Sequence, residues 1–235
     1  MGLIPFEPEL GKAMRSSPPA KPSSPEDSQL LGINGPVKRL MDLVIAIPAA
    51  IFLAPLFILV SLTIFLEGGG PIFYVQSRIG RGGRPFRMLK FRTMKRDADA
   101  LLKEHLARDP AARLEWAEFQ KLRNDPRVTP IGRLLRASSI DELPQIFNVI
   151  SGDMSIVGQR PILYSQRDAF GPHIAGYERA RPGITGLWQV CGRNSVNFHR
   201  RAELGSEYVN EWSLWLDIRI ILMTVPAILL SRDAF

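Results

Sequence analysis

A chain of 235 residues, 46% of them hydrophobic, can bury one sizeable core with appendages, and its single cysteine, Cys191, excludes an internal disulfide framework and fits a reducing compartment. A net charge of +7 and a pI of about 9.9 call for an anionic partner, with nucleic acid, lipid headgroups and phosphorylated small molecules all open at this point. His105, His173 and His199 are far apart along the chain, with no Cys or His partner at metal-ligand spacing, so a zinc site is not expected.

Residues 1–33 hold Pro5, Pro8, Pro18, Pro19, Pro22 and Pro25 among serines, which predicts a disordered tail. No apolar core sits near Met1, so the tail does not read as a secretory signal peptide. No internal repeat is visible.

Residues 43–66 carry no charge. A straight helix of that length would reach roughly 36 Å, enough for a hydrocarbon core of about 30 Å. Pro48 and Pro55 resist a straight span, because Pro55 removes a hydrogen bond near the centre and favours a sharp kink. Both flanks are also basic: Lys38 and Arg39 come before the run, and Arg78, Arg81, Arg84 and Arg87 come after it. Positive charge marks the cytoplasmic side, and a single span would push one flank across. The expectation is therefore a re-entrant membrane helix over residues 34–68, bent at Ala54-Pro55.

Next come two extended runs, residues 72–79 and 85–92, joined by Gly80-Arg81-Gly82-Gly83; this predicts a β-hairpin. Alternation places Met88, Lys90 and Arg92 on one face. Two cations there could clamp phosphate or simply be solvated. Residues 97–122 read as helical with a break at Asp109-Pro110, followed by a turn at Asn124-Asp125-Pro126-Arg127 and a short helix over 131–137 carrying Arg133 and Arg136.

Asp141 and Glu142 then stand side by side in Ser139-Ile140-Asp141-Glu142-Leu143-Pro144, amid arginines. Pro144 is tolerated only in a helix's first turn, so a helix over 143–150 opens near Asp141, with Ser139 and Asp141 as cap candidates and capping-box spacing from Ser139 to Glu142. A well-capped helix and an ionised nucleophile or metal ligand are both compatible with this pattern. The helix ends near Gly152, and Gly158-Gln159-Arg160-Pro161 forms a loop. Residues 181–190 are too rich in Gly and Pro for a regular helix. Tyr208, Trp212 and Trp215 lead into an apolar run over 218–230, which suits either an interfacial helix or a buried helix with aromatic packing.

Together these residues resemble the bacterial sugar transferases known as monotopic phosphoglycosyl transferases. The motifs read Lys38-Arg39-Leu40-Met41-Asp42, Lys90-Phe91-Arg92-Thr93-Met94, Asp125-Pro126-Arg127-Val128-Thr129, Asp141-Glu142-Leu143-Pro144-Gln145, Gly152-Asp153-Met154-Ser155 and Gly158-Gln159-Arg160-Pro161. The likeness covers residues 37–235. Residues 181–189 and 212–217 look like members that start exopolysaccharide or O-antigen repeat units. The resemblance implies a mostly helical α+β fold and a monotopic seat on the cytoplasmic face of the bacterial inner membrane. It assigns the catalytic domain to residues 69–235.

The resemblance also implies the chemistry. Asp141 would be the nucleophile, Glu142 its partner, and both would lie beside Mg²⁺. Arg136 and Arg160 would contact phosphate, with Lys90 and Arg92 near the site. The reaction would pass hexose 1-phosphate, galactose first and glucose second, from a UDP-hexose to undecaprenyl phosphate with release of UMP. Nucleic acid is not an expected partner; an oligomer is possible.

Two departures from the family pattern stand out. Ala54-Pro55 replaces the usual Ser-Pro at the kink, and Gln159 replaces a proline, which is expected to loosen the backbone before Arg160. Two rivals from other classes are a membrane-tethered basic binding module and a structural subunit of an export complex.

Overall fold

A computed structural model describes residues 32–119, 121–191 and 198–229. The tail expected over 1–33 lies outside the described residues apart from Gly32 and Ile33, and the side chain of Ile33 is buried.

Helix α1 (Pro36–Phe52) begins with proline in its first turn, where the missing N–H would have had no partner. Helix α2 (Ala54–Gly68) follows after Leu53 alone, and the two axes meet at 57°. Pro55 causes the break: it has no N–H to give, and its ring crowds the carbonyl four residues earlier. On either side the ladder is intact, with Leu53 N–H donating to Ala49 and Phe57 N–H to Leu53, both at 2.9 Å. No single helix among the described residues is long and apolar enough to cross a membrane; the α1–α2 pair passes only when taken together.

The hairpin forms as expected. Strand β1 (Phe73–Ile79) pairs antiparallel with β2 (Pro85–Phe91), in register from Phe73 opposite Phe91 to Ile79 opposite Pro85. The turn between them uses Gly82 and Gly83 at φ 70° and 71°, a region that favours glycine. Helices α3 (Ala98–Arg108) and α4 (Pro110–Phe119) are separated at Asp109, whose carboxylate accepts from Ala111 and Ala112 N–H and so caps α4. Helix α5 (Pro130–Ala137) is capped by Thr129, which accepts from Gly132 N–H at 2.9 Å.

The expected capping box is absent. Ser139 adopts a left-handed backbone (φ 58°, ψ 15°), Ile140–Glu142 form a single 3₁₀ turn, and helix α6 (Gln145–Ser151) starts only after Pro144, with no side-chain cap. With this backbone Ser139 makes no side-chain bond to the N–H groups it was expected to satisfy. Helix α6 ends at Gly152 (φ 95°). Arg39 also serves that end: its guanidinium donates to the carbonyls of Val149 and Ile150.

Strand β3 (Ser155–Val157) lies parallel to β4 (Gly183–Thr185). Around this pair sit α7 (Ile174–Arg179), the one-turn α8 (Leu187–Cys191), α9 (Phe198–Asn210) and α10 (Leu214–Leu229). The stretch expected to be irregular thus holds a three-residue strand and one helical turn. Gln159 does not loosen its loop. It is buried, its carbonyl accepts from Gly183 N–H at 2.7 Å, and it bridges to Pro182. Backbone pairing there does the work expected of a proline ring.

The central core joins α1 and α2 to the rest. Ala46, Phe57, Val60 and Ile64 pack against Phe86, Met88, Phe91, Leu135, Ile146 and Val149. The opposite faces of the bent pair point outward, with Ile51 70% and Phe52 82% exposed. At the C-terminal end the aromatic residues divide: Tyr208 is buried, Trp212 half-buried and Trp215 exposed.

Beneath this surface runs a buried polar network. Lys38 Nζ lies 2.8 Å from Asp217 Oδ2, 3.7 Å from Asp42 Oδ1 and 3.1 Å from the Val157 carbonyl. Asp42 Oδ1 accepts from Ser155 Oγ and Ile156 N–H, and Asp217 accepts from Tyr208 Oη and Trp212 Nε1. The Lys38-Arg39-Leu40-Met41-Asp42 motif is therefore a clamp that fastens α1 to α6, β3 and α10.

Candidate active site

A cleft of about 1780 Å³ opens between β2, α5, the 3₁₀ turn and α8. Three local devices build its polar wall. The first is the hairpin, which presents Lys90 from β2. The second is α5, which must come close to Thr93: a Cβ on Gly132 would sit 2.1 Å from the Thr93 carbonyl oxygen. That contact sets Arg136, whose Nε donates to Thr93 Oγ1 at 2.9 Å. The third is the left-handed Ser139, which swings the chain so that Asp141 and Glu142 face the cleft. A non-glycine residue at positive φ costs of order 1–3 kcal/mol and persists only when its surroundings impose it.

Glu142 and Asp141 have different environments. Lys90 Nζ donates to Glu142 Oε1 at 2.5 Å. Burial pushes the Glu142 carboxyl up, but Lys90 and then Arg160 outweigh it, and the net shift is below the usual carboxylate range. For Asp141 burial wins: its carboxyl is raised, with Glu142 adding to the rise and Lys90 and Arg136 opposing it. Among the described residues no other side chain hydrogen-bonds or ion-pairs with the Asp141 carboxylate, whose one bond is with its own backbone N–H. It is a half-buried oxygen donor with no side-chain partner, next to a carboxyl held below the usual range by Lys90.

Other expected site residues fall as follows. Arg160 lines the cleft with its guanidinium 5.7 Å from the centre of the Trp188 ring. Arg92 lines it too but leans the other way, donating to the Gly69 carbonyl at 2.5 Å, so it does not share Glu142 with Lys90. Pro55 lies at the start of α2, outside the cleft lining. Asp125 and Arg127 form a fork of bonds at 2.6–3.1 Å, and Arg127 covers the Trp116 ring at 4.9 Å. Both residues line the cleft, so that motif is a strut within its wall.

Sequence reasoning missed three contributors. Trp188 is a buried wall residue flanked by Arg160 and by Arg201, whose guanidinium lies 4.7 Å from the ring centre. Arg78, on β1, donates to the Pro161 carbonyl and lines a small recess with Glu142 and Arg160. Burial and the neighbouring Arg160 lower the Arg78 pKa. The only signal in the chain for these was residue type, arginine or tryptophan.

Two adjacent carboxylates, one of them without a side-chain partner, suit a hard divalent cation with oxygen ligands. The surrounding Lys90, Arg136 and Arg160 suit a substrate carrying several negative charges.

Comparison with known proteins points the same way. A family model described as bacterial sugar transferase matches residues 33–231. The exopolysaccharide production protein ExoY of Sinorhizobium fredii is 44% identical over 226 residues, covering 96% of this chain and all of that protein. The undecaprenyl-phosphate galactose phosphotransferase of Salmonella typhimurium is 44% identical over 199 residues, covering 85% of this chain and 42% of that one. The UDP-glucose:undecaprenyl-phosphate glucose-1-phosphate transferase of Caulobacter vibrioides is 42% identical over 206 residues, 84% of this chain and 72% of its own.

Proposed function

Because this chain belongs to the bacterial sugar transferase family of enzymes, we propose that it transfers hexose 1-phosphate from a UDP-hexose to undecaprenyl phosphate and so starts an exopolysaccharide repeat unit. The observation that carries this reading is Asp141, a cleft-facing carboxylate with no side-chain partner, beside Lys90, Arg136 and Arg160.

In the first step an Asp141 oxygen attacks the phosphorus that bears the sugar. The bond from that phosphorus to the bridging oxygen breaks, and UMP leaves with the electron pair. In the second step an oxygen of undecaprenyl phosphate attacks the same phosphorus, the bond to Asp141 breaks, and the carboxylate is restored. Each step is easier than direct transfer between two anions. Lys90 holds Glu142 ionised, while Arg136 and Arg160 spread donor charge through forked hydrogen bonds. Asp141 and Glu142 would hold Mg²⁺, which supplies neutralisation of the diphosphate.

A seat in the membrane follows from the acceptor, whose polyprenyl tail stays in the bilayer while the donor is soluble. The outward apolar faces of α1 and α2, with Ile51, Phe52, Ile58 and Leu66 exposed, are too large a patch for a free surface and suit insertion into one leaflet on the cytoplasmic side. Galactose is the first sugar to test and glucose the second, since the names of the relatives divide between these two epimers.

The test is a radiolabelled UDP-hexose assay with defined polyprenyl phosphate, run beside Asp141→Asn. Wild type releases UMP, traps label on the peptide containing residue 141 when acceptor is withheld, and then passes label to lipid. Asp141→Asn stays folded and does neither. Lipid-linked product formed by Asp141→Asn would overturn the assignment.

A further inference from the structure

The three histidines looked isolated along the chain, yet the fold brings two of them together. His173 closes the 3₁₀ segment Asp168–His173, and His199 lies near the start of α9. Their rings meet edge to face, with centroids 5.7 Å apart. Glu203 follows His199 by four residues, which puts both on one side of the helix. The His199 Nε2 to Glu203 Oε1 distance is 3.3 Å. One ligating atom from each of His173, His199 and Glu203 lies within 4.8 Å of the other two. None of the three lines the cleft.

We propose that His173, His199 and Glu203 form a second metal site, selective for a divalent transition metal of the zinc class and separate from the Asp141 cleft.

Three features argue for it. The donor set is two imidazoles and one carboxylate, which suits zinc and its neighbours and not magnesium, a cation that takes oxygen ligands. His173 also has a neighbour that can set its tautomer. Ser206 Oγ lies 3.1 Å from His173 Nδ1 and 3.2 Å from the Ala202 carbonyl; with its one proton given to that carbonyl it accepts from Nδ1. In that arrangement Nδ1 would carry the proton and the opposite ring nitrogen would be left with its lone pair for a metal. Finally, Arg200 bonds Glu203 Oε2 at 2.8 Å, leaving Oε1 on the histidine side.

The geometry needs a small closure. Bonds of about 2.0–2.1 Å at tetrahedral angles put ligand atoms about 3.4 Å apart. The exposed His199 ring can rotate to meet this, and water would fill the fourth position. Such a metal would cross-link the 168–173 segment to α9. Since Arg201 on α9 lies over Trp188 in the cleft wall, the cross-link would steady that wall from behind.

The experiment is titration of the full chain in detergent micelles, with Mg²⁺ present throughout, using Zn²⁺ by calorimetry and Co²⁺ by its visible absorption. The expected result is one Zn²⁺ per chain, a Co²⁺ spectrum of tetrahedral intensity, and a raised melting temperature. His173→Ala and His199→Gln should each lose about tenfold or more in affinity, and Ser206→Ala should weaken it by about tenfold through the lost tautomer control. UMP release without added Zn²⁺ should match wild type in all three. Zn²⁺ binding that is unchanged in His173→Ala and His199→Gln, or no binding below millimolar Zn²⁺, overturns the site. Neither outcome touches the Asp141 assignment, which is read by covalent trapping.

Discussion

Replacing Lys38 with Met tests whether the buried clamp organises the molecule. The side chains of Lys38, Asp42 and Asp217 are at most 2% exposed. Methionine fills the lysine stem's volume but removes the charge and the donors to Asp217 and the Val157 carbonyl, leaving two carboxylates in one dry pocket. An exposed ion pair contributes only about 0–1 kcal/mol. Breaking a buried pair by removing one partner costs about 3–5 kcal/mol, because the remaining charge stays desolvated. A chain of this size loses about 2–4 °C per kcal/mol. The melting temperature of Lys38→Met in detergent should therefore fall by roughly 6–20 °C. Combining it with Asp217→Asn should recover part of that loss, because the stranded charge is gone, and a double-mutant cycle reads the coupling. A fall of under about 1 kcal/mol for Lys38→Met, or a double variant no better than the single one, would refute the clamp.

Three more outcomes are expected. Arg136→Ala and Arg160→Ala should each lower kcat/KM for the UDP-hexose by about 10- to 100-fold, since a hydrogen bond to a charged group contributes about 1.5–3 kcal/mol; unchanged kinetics would place both on a solvated face. In acceptor-free UMP release, the acidic limb should titrate above the range of an ordinary aspartate. The Asp141 carboxyl is raised, so it stays protonated and inert to a higher pH. Lys90 opposes that rise, so Lys90→Met should move the limb higher still. Gly132→Ala should cost about 1–3 kcal/mol by overpacking and displace Arg136, because its Cβ would collide with the Thr93 carbonyl; a melting curve and donor KM check both.

The reading as an enzyme also accounts for what a basic binding module leaves unexplained. A polyanion-binding surface gains nothing from two carboxylates at its centre, whereas a phosphoryl-transfer site needs a nucleophile surrounded by cations.

Local chemistry was legible along the chain wherever a residue acts on its own neighbours. Pro55 announced the break between α1 and α2, the glycines at 80–83 the hairpin, and Asp109-Pro110 the gap between α3 and α4, since ring closure, missing N–H groups and permitted φ act over a few bonds. The adjacency of Asp141 and Glu142 and the nearby arginines were equally plain.

What the chain order could not convey depends on segments that meet only after folding. The left-handed turn at Ser139 replaces the box that spacing alone suggested, because packing of α5 and the hairpin dictates where the dyad must face. Whether Lys38 neutralises Asp217, whether Arg92 turns toward Gly69 or the dyad, which arginines flank Trp188, and that His173 meets His199 were all decided by tertiary structure. Burial converts such long-range proximity into strong interaction by removing the water that would otherwise screen it.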